Sequence, residues 1–331
     1  MAAMTIFTYI KSFYHLWIDI KKQRAFNKSF LLPYMNELET RFSGQFHTGQ
    51  KEKILNYYGL FIPAVLAASF KRLYEDVFTE AEMRMVTLFG ILTPVGDDLF
   101  DLDKLDIDSI KAITFTPETF VADSFSAKVA KEIQTNLLQT VPDREAYLEA
   151  SKNVFEIQIE TIKQTAPSIT EEELKRITYA KGGYSVIIYH EVLQKASPEL
   201  WKALFYVGSL MQLANDIFDM HKDVPDGIFT LPNQCKDFRG LRELYMQRVK
   251  ETNQLLLTLP FGKAAKKEFC LRMNFIISRG LVAIDKFIQL EKQKKAALNF
   301  SSLTRKEIVC DMQKPGNILR WLKYIYLLPR I

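Results

Sequence analysis

Apolar residues recur along most of the chain at the three- and four-residue spacing of an α-helix face. The pattern predicts helices over 3–24, 30–42, 50–76, 79–101, 124–140, 143–165, 170–194, 198–222, 238–258, 262–296 and 303–327. Several of them begin with capping signals, because Thr79 and Thr170 each stand three residues before a glutamate and Ser197 precedes Pro198. We therefore expect an all-α protein of about ten or more helices.

Composition agrees with this prediction. The 331 residues include only 13 Gly and 12 Pro, which is sparse for a many-stranded sandwich or barrel. Apolar residues make up 48% and charged residues 25%, so a sizeable core is available. No internal repeat or linker-like tract interrupts the pattern, and we expect a single domain over residues 1–331.

Net charge and cysteine content limit the partners and the cell compartment that we expect for this protein. The net charge is +5 and no stretch is as basic as a nucleic-acid-binding arm, so we expect no nucleic-acid partner. Cys235, Cys270 and Cys310 lack metal-ligand spacing, which suits a reducing compartment. Charge-free runs fall short of the roughly 20 residues of a membrane span, and the amino terminus does not resemble a secretory signal. We expect a cytoplasmic protein.

An acidic stripe marks the predicted helix over 79–101. At about 100° per residue, Asp97, Asp98 and Asp101 fall within one arc of about 100°. Pro94 and Gly90 continue that arc toward the amino terminus, and apolar residues fill the rest of the helix. The pattern therefore predicts a buried helix that carries one stripe of acids and small residues.

A second helix, predicted over 198–222, repeats this design. Asn215, Asp216, Asp219 and Asp223 span an arc of about 100°, and Gln212 lies inside it. Large apolar residues again occupy the other sides.

Helix stability alone does not favour these acids. Acids at a helix carboxyl end oppose the macrodipole, and like charges four residues apart repel each other. Clustered carboxylate oxygens instead suit hard divalent cations, and Mg²⁺ uses one or two carboxylates together with water and phosphate oxygens. The two stripes thus predict a diphosphate held between two acidic helix ends.

At these residues the sequence resembles the class I isoprenoid synthases. The segment Asp97-Asp98-Leu-Phe-Asp101 resembles their D-D-x-x-D motif. The segment from Asn215 to Asp223 is similar to the N-D-x-x-S/T-x-x-x-D/E motif of terpene cyclases, with Asp219 at the hydroxyl position. Gln212-Leu-Ala-Asn215, followed by Asp219, Asp223 and a downstream Leu231-Pro232, also resembles the Q-L-T-N motif of squalene and phytoene synthases.

The resemblance implies a single helical bundle around a central active-site cavity. It implies Mg²⁺ as cofactor, three ions bound together with the substrate diphosphate. The expected catalytic residues are Asp97, Asp98, Asp101, Asn215, Asp219 and Asp223, and Asp216 joins them as a metal ligand. Expected diphosphate-binding residues are Arg176, Lys181, Lys222 and Arg320. A helix break is expected at Gly182 and Gly183, and Gln212, Phe89 and Tyr184 are expected near the cavity.

Several activities remain open within this family. The first is a terpene synthase, a lyase that ionises and cyclises one allylic prenyl diphosphate. The alternatives are transferases: head-to-head coupling of the squalene or phytoene type, or trans-prenyl diphosphate synthesis. The first acidic motif lacks the following arginine pair of chain-elongating enzymes, which argues against elongation. Farnesyl or geranylgeranyl diphosphate is the expected substrate, and a helical binding protein without turnover is the alternative from another class.

Both ends of the chain are rich in large apolar and basic residues. Residues 6–20 and 320–330 are expected to pack as ordinary core helices. The alternatives are peripheral contact with a membrane surface, or a carboxy-terminal helix that covers the active site through Arg320. Homodimer formation is a further open expectation.

Overall fold

The structure, a computed structural model, describes residues 6–101 and 105–330; the side chains of Asp101 and Arg330 lie outside that description. Every regular element in this part of the chain is helical, which confirms the all-α prediction. The helices pack into two compact units. The amino-terminal unit comprises residues 6–152 and 188–195, and the carboxy-terminal unit comprises 153–187 and 196–330. The single domain over 1–331 stays a prediction.

The helices of the amino-terminal unit are α1 (Ile6–Phe26), α2 (Leu32–Arg41), α3 (Thr48–Glu52), α4 (Ala68–Leu73), α5 (Glu80–Asp101), α6 (Ile107–Phe115), α7 (Phe125–Thr140) and the first part of α8 (Arg144–Glu160). Two π-helical segments, Asn27–Leu31 and Lys53–Ala67, connect α1 to α2 and α3 to α4.

The helices of the carboxy-terminal unit are α9 (Glu171–Glu191, up to residue 187), α10 (Pro198–Asp223), α11 (Leu231–Gln234), α12 (Phe238–Thr258), α13 (Lys263–Lys294), α14 (Arg305–Ile308) and α15 (Pro315–Leu327).

Helix α5 is the central element of the amino-terminal unit. It packs against the π-helical segment Lys53–Ala67 and against α7. Its buried residues Val86, Leu88 and Phe89 lie on different sides of the helix, as expected of an element apolar nearly all round. Gly90 lies against the carbonyl of Tyr58, so a small residue is needed where the two backbones approach.

Helix α13 has the corresponding place in the carboxy-terminal unit. It packs against α10, α12 and α15, and most of its middle turns are buried. Side chains on the surrounding helices donate to main-chain carbonyls of α13: the Tyr245 hydroxyl to Ile277 at 2.7 Å and the Trp321 indole to Phe275 at 2.9 Å. Buried polar atoms of α12 and α15 thereby find partners on the helix that they enclose.

The predicted capping signals form. The main-chain N–H of Glu82 donates to Thr79 Oγ1 at 3.3 Å, and the Glu82 carboxylate accepts from the Thr79 N–H at 2.9 Å. Thr170 and Glu173 make the same reciprocal pair at the start of α9. Ser197 Oγ accepts from the Leu200 N–H at the start of α10. These contacts are local, which explains why the sequence alone indicates them.

The helical boundaries differ from the prediction in several places. Helical structure is continuous from Ile6 to Arg41, and the short helix α11 was not predicted. The predicted helix over 303–327 is divided into α14 and α15, because Pro315 begins a new helix rather than continuing one. The predicted helix over 50–76 contains the long π-helical segment between α3 and α4. Helix α6 was not predicted, although Asp106 caps it by accepting from the Ser109 N–H at 2.8 Å.

The helix break expected at Gly182 and Gly183 is not formed, since α9 continues through both residues. The glycines serve close packing instead. A Cβ on Gly182 would collide with the main-chain carbonyl of Gly208 in α10, and a Cβ on Gly208 would collide with that of Gly182. The absence of side chains at these two positions lets α9 and α10 touch backbone to backbone.

The helical stretch Thr48–Leu73 is long and apolar enough to cross a membrane by length and composition alone. Of its most apolar window, 61% is buried inside the protein. A core helix of a globular protein meets the same criterion.

We predict that Gly208→Ala lowers the free energy of unfolding by about 2–4 kcal/mol, because the added methyl group meets backbone that cannot move aside cheaply. Gly96→Ala is the matched control, since a Cβ at this helical position meets nothing within 4 Å. We expect the control to be neutral or to gain up to about 1 kcal/mol from helix propensity. Urea unfolding followed by circular dichroism measures both, and equal stabilities of the two variants would contradict the close packing.

Candidate functional site

The acidic group of α10 consists of Asn215, Asp216, Asp219 and Asp223 in the carboxy-terminal unit. Asp216 is its buried member. Its carboxylate accepts a hydrogen bond from Thr178 Oγ1 on α9 at 2.9 Å and one from Gln212 Nε2, one turn earlier on α10, at 2.7 Å. Burial raises the pKa of Asp216 above its usual range, and the two hydrogen bonds oppose that rise.

Asn215 and Asp219 lie on the more exposed side of the same stripe. Asn215 Nδ2 donates to Asp219 Oδ2 at 3.0 Å, and Lys222 Nζ donates to Asp219 Oδ1 at 2.7 Å. The Asp219 side chain is 29% exposed and that of Lys222 is 60% exposed. Solvent therefore weakens this ion pair, and the Asp219 carboxylate can leave Lys222 for another partner.

Asp223 completes the stripe at the last turn of α10. Burial, and then the negative charges of Asp216 and Asp219, raise the pKa of its carboxyl to about 7. Lys222 and Lys181 oppose the shift by a smaller amount. The repulsion among these carboxylates is thus larger than their attraction to the nearby lysines. A bound cation would reduce that repulsion.

The sequence placed two basic residues of α9 among the diphosphate-binding candidates, and the structure separates them. Arg176 Nη1 donates to Glu160 Oε1 at 3.1 Å, its Nη2 contacts Glu160 Oε2, and both line a surface pocket of about 370 Å³. Lys181 instead influences Asp216 and Asp223, since its charge lowers the pKa of both. Lys181 is therefore the α9 cation associated with the acidic group.

Thr178 is a site residue that the sequence analysis missed. It lies one helical turn before Lys181, so both point from α9 toward α10. Its one signal in the sequence is that it stands three residues before Lys181. This spacing alone is too weak to predict a contact with Asp216.

The acidic group of α5 consists of Asp97, Asp98 and Asp101 in the amino-terminal unit. Asp98 is buried and accepts from Gln50 Nε2 at 2.5 Å, while His47 Nε2 lies 2.9 Å from the same carboxylate oxygen. Asp97 is half-buried, and the side chain of Asp101 lies outside the described residues.

His47 takes a defined role that the sequence did not indicate, because no useful partner was predicted for it. Its Nδ1 accepts from the Gln50 N–H at 3.1 Å and so caps α3. An accepting Nδ1 places the proton of a neutral imidazole on Nε2, which then donates to Asp98. His190, by contrast, is fully buried, and burial lowers its pKa to about 3.

The remaining predicted residues lie in packed surroundings. Phe89 is buried and packs edge-on against Tyr147 and Tyr189 in the amino-terminal unit. Tyr184 packs against Trp201 and Phe205 in the carboxy-terminal unit. Arg320 is half-buried on α15, where its charge lowers the pKa of the Cys310 thiol that burial otherwise raises.

Among the described side chains, no three His, Cys, Asp or Glu residues converge as a ready metal cage. The α10 side chains nonetheless offer oxygen atoms on one stripe, and three of the four are carboxylates. This donor set fits Mg²⁺, which keeps several waters and completes its shell with phosphate oxygens rather than with a full set of side chains.

No protein-family model matches this chain, and no curated protein matches it significantly. Functional inference therefore depends on the two acidic groups and their surroundings.

We predict that Asp223→Asn stabilises the metal-free protein at pH 8 relative to pH 5. The folded-state pKa near 7 lies above the ordinary value of 3.8, so the contribution of Asp223 is present below about pH 4 and is lost as the pH rises through 7. We expect a gain of about 1 kcal/mol or less at pH 8, because the carboxyl is partly exposed.

Urea unfolding with a chelator at both pH values checks this, with the exposed Asp226→Asn as control. An Asp223→Asn variant whose stability follows that of wild type at both pH values would contradict the described electrostatics.

Proposed function

We propose that this protein is a class I isoprenoid synthase that ionises an allylic prenyl diphosphate with Mg²⁺. The observation that supports it most is the arrangement on α10: Asp216 is fixed inside by Thr178 and Gln212, while Asp219 and Asp223 lie farther along the same stripe and are partly exposed. An ordinary buried helix has no reason to collect these charges.

In this proposal Asn215, Asp219 and Asp223 hold the cations on α10. Mg²⁺, when bound, supplies Lewis-acid stabilisation of the departing diphosphate. Asp216 acts as a positioning residue, because its two hydrogen bonds fix the rotamer of a carboxylate in the middle of the stripe. Lys181 adds positive charge beside the acids, where negative charge on a leaving diphosphate would be stabilised.

The acidic group of α5 is a separate set of carboxylates, to which the resemblance to the D-D-x-x-D motif assigns cation binding. Asp98 accepts from Gln50 and lies against His47, which fixes its carboxylate. With Asp97 and Asp101 it forms the set of metal ligands that the motif implies. His47 and Gln50 then fix the end of α5 that carries the motif. The carbocation formed on ionisation needs apolar and aromatic surroundings that exclude water.

The ion pairs favour turnover of one diphosphate rather than coupling of two. A second diphosphate would require several further Lys or Arg donors. Arg176 is paired with Glu160, and Lys51 is paired with Glu39 at 2.8 Å. We therefore favour the terpene synthase, a lyase, and place head-to-head coupling second, because Gln212 occupies the position of the Q-L-T-N glutamine and binds Asp216. Trans-prenyl diphosphate synthesis is third.

We predict that Asp97→Ala and Asp219→Ala each lower diphosphate release by about 100-fold or more, because each removes a metal-binding carboxylate. Both should keep the wild-type circular dichroism and melting temperature, and Asp226→Ala should keep the activity. Chelation of Mg²⁺ should stop turnover without a loss of helicity. Activity near wild type in both variants would refute the metal assignment.

We predict that farnesyl or geranylgeranyl diphosphate alone, with Mg²⁺, gives a hydrocarbon or alcohol of the same carbon number. Lys51→Ala and Lys53→Ala should change turnover less than about twofold, since neither is assigned to diphosphate. Substrates are supplied singly and in pairs, with and without isopentenyl diphosphate, and products are identified by mass spectrometry. Product at twice the carbon number identifies head-to-head coupling, and product only with isopentenyl diphosphate identifies chain elongation.

A further inference from the structure

Helix α1 exposes a continuous stripe of large apolar side chains. Its members are Ile6, Phe7, Ile10, Tyr14 and Trp17, with exposed fractions between 77% for Ile6 and 51% for Trp17. At about 100° per residue they occupy one arc of about 100°, so they form one face of the helix. Residues 6–20 were expected to pack as a core helix, and only the side of α1 opposite this stripe does so. Apolar side chains left together in water at this density mark an interaction surface.

The opposite face of α1 is firmly attached to the amino-terminal unit. Tyr9, Gln23 and Phe26 are buried, and Gln23 Nε2 donates to the Gly59 carbonyl at 2.9 Å. Arg72 makes a two-pronged ion pair with Asp19, through Nη2 to Oδ1 at 2.8 Å and Nε to Oδ2 at 3.0 Å. The stripe therefore belongs to a helix that is held in place, with its outer face left uncovered.

The charges on the outer face are all positive. Lys21 and Arg24 lie within the arc of the stripe, and Lys11 and Lys22 flank it; all four are exposed. Lys22 lies at a pocket that Asp76 also lines, and Asp19, the one acid in α1, is bound by Arg72. Lys21 Nζ lies 3.8 Å from the centre of the Trp17 ring, where the stripe meets the basic end of the helix. The surface thus combines an apolar stripe, an aromatic boundary and exposed cations.

We propose that α1 docks this protein on the surface of an anionic lipid bilayer. The helix would lie in the plane of the interface, with Ile6, Phe7 and Ile10 among the upper acyl chains and the lysines near the headgroups. Tyr14 and Trp17 suit the boundary between the acyl chains and the headgroups, because each has an apolar ring with a polar group at its edge. Anionic headgroups complement the charge of the face.

Charge complementarity favours a bilayer over a second copy of this chain. In a symmetric dimer each α1 would meet the same face on its partner, so Lys21 and Arg24 would face either like charges or the partner's apolar residues, and neither supplies a counter-charge. An anionic lipid surface supplies the opposite charge and an apolar layer at the same time.

The test uses the full-length protein and vesicle flotation. The probes are phosphatidylcholine vesicles with about one third phosphatidylglycerol, and pure phosphatidylcholine vesicles as the uncharged reference. We expect wild type to float with the anionic vesicles, and binding to fall at about 0.5 M salt because the charges are screened. Phe7→Ser with Ile10→Ser should weaken the partition coefficient about tenfold or more. Lys21→Glu with Lys22→Glu should abolish the preference for anionic lipid.

A matched control removes exposed apolar surface elsewhere. Val121 and Ile162 are 78% and 73% exposed and belong to no such stripe, so Val121→Ser with Ile162→Ser should bind as wild type does. Trp17 provides a direct readout: its emission should shift to the blue and be quenched by brominated lipid, and Trp17→Phe should lose that signal. Circular dichroism and melting temperature show that each variant is folded.

Three results would overturn the proposal. One is wild-type protein that stays unbound with anionic vesicles. Another is a folded Phe7→Ser, Ile10→Ser variant that floats as well as wild type. The third is wild-type protein that does not bind vesicles but forms a concentration-dependent dimer in sedimentation velocity, together with a Phe7→Ser, Ile10→Ser variant that stays monomeric. The face would then be a contact between copies of the chain. None of these readouts uses catalytic activity, so the result is independent of the proposed function.

Discussion

The backbone contact between α9 and α10 is the constraint on which the α10 acidic group depends. Gly182 and Gly208 meet without side chains between them, and this brings Thr178 within hydrogen-bond distance of Asp216. A larger residue at either glycine would separate the helices and leave a buried carboxylate with one partner fewer. Loss of a partner to a buried charged group costs several kcal/mol, so packing and site geometry are inseparable here.

The acids of the two helices fall into two physical kinds. Asp98 and Asp216 are buried and each has two hydrogen-bond partners, which compensates the cost of removing a carboxylate from water. Asp219 and Asp223 remain partly exposed, and the neighbouring acids raise the pKa of Asp223 in addition to burial. The first kind holds the helices in position, and the second kind is suited to a cation that arrives with a phosphate ligand.

The basic side chains near the α10 acids also fall into two kinds, those held in ion pairs and one that acts through its charge. Arg176 is tied to Glu160, and Lys222 is tied to Asp219 through an exposed and weak pair. Lys181 acts on the buried side of the stripe, through its charge on Asp216 and Asp223. The exposed lysines of α1 belong to neither group. Their position beside an apolar stripe gives them a different partner, and the net charge of +5 includes this separate basic surface.

Features that depend on neighbours within a few turns could be predicted from the sequence. Helical periodicity, the Thr79 and Thr170 capping boxes and the alignment of the acids on one stripe of α10 are all local, because a helix fixes the direction of each side chain relative to the next. The partners of the site residues, by contrast, depend on the tertiary fold. Arg176 meets a residue 16 positions away, Thr178 meets one 38 positions away and His47 meets one 51 positions away. Likewise the continuity of α9 through Gly182 follows from its contact with α10, and the exposed face of α1 follows from which side of that helix the unit covers. Such pairings are set by the packing of whole helices against one another, which no local pattern encodes.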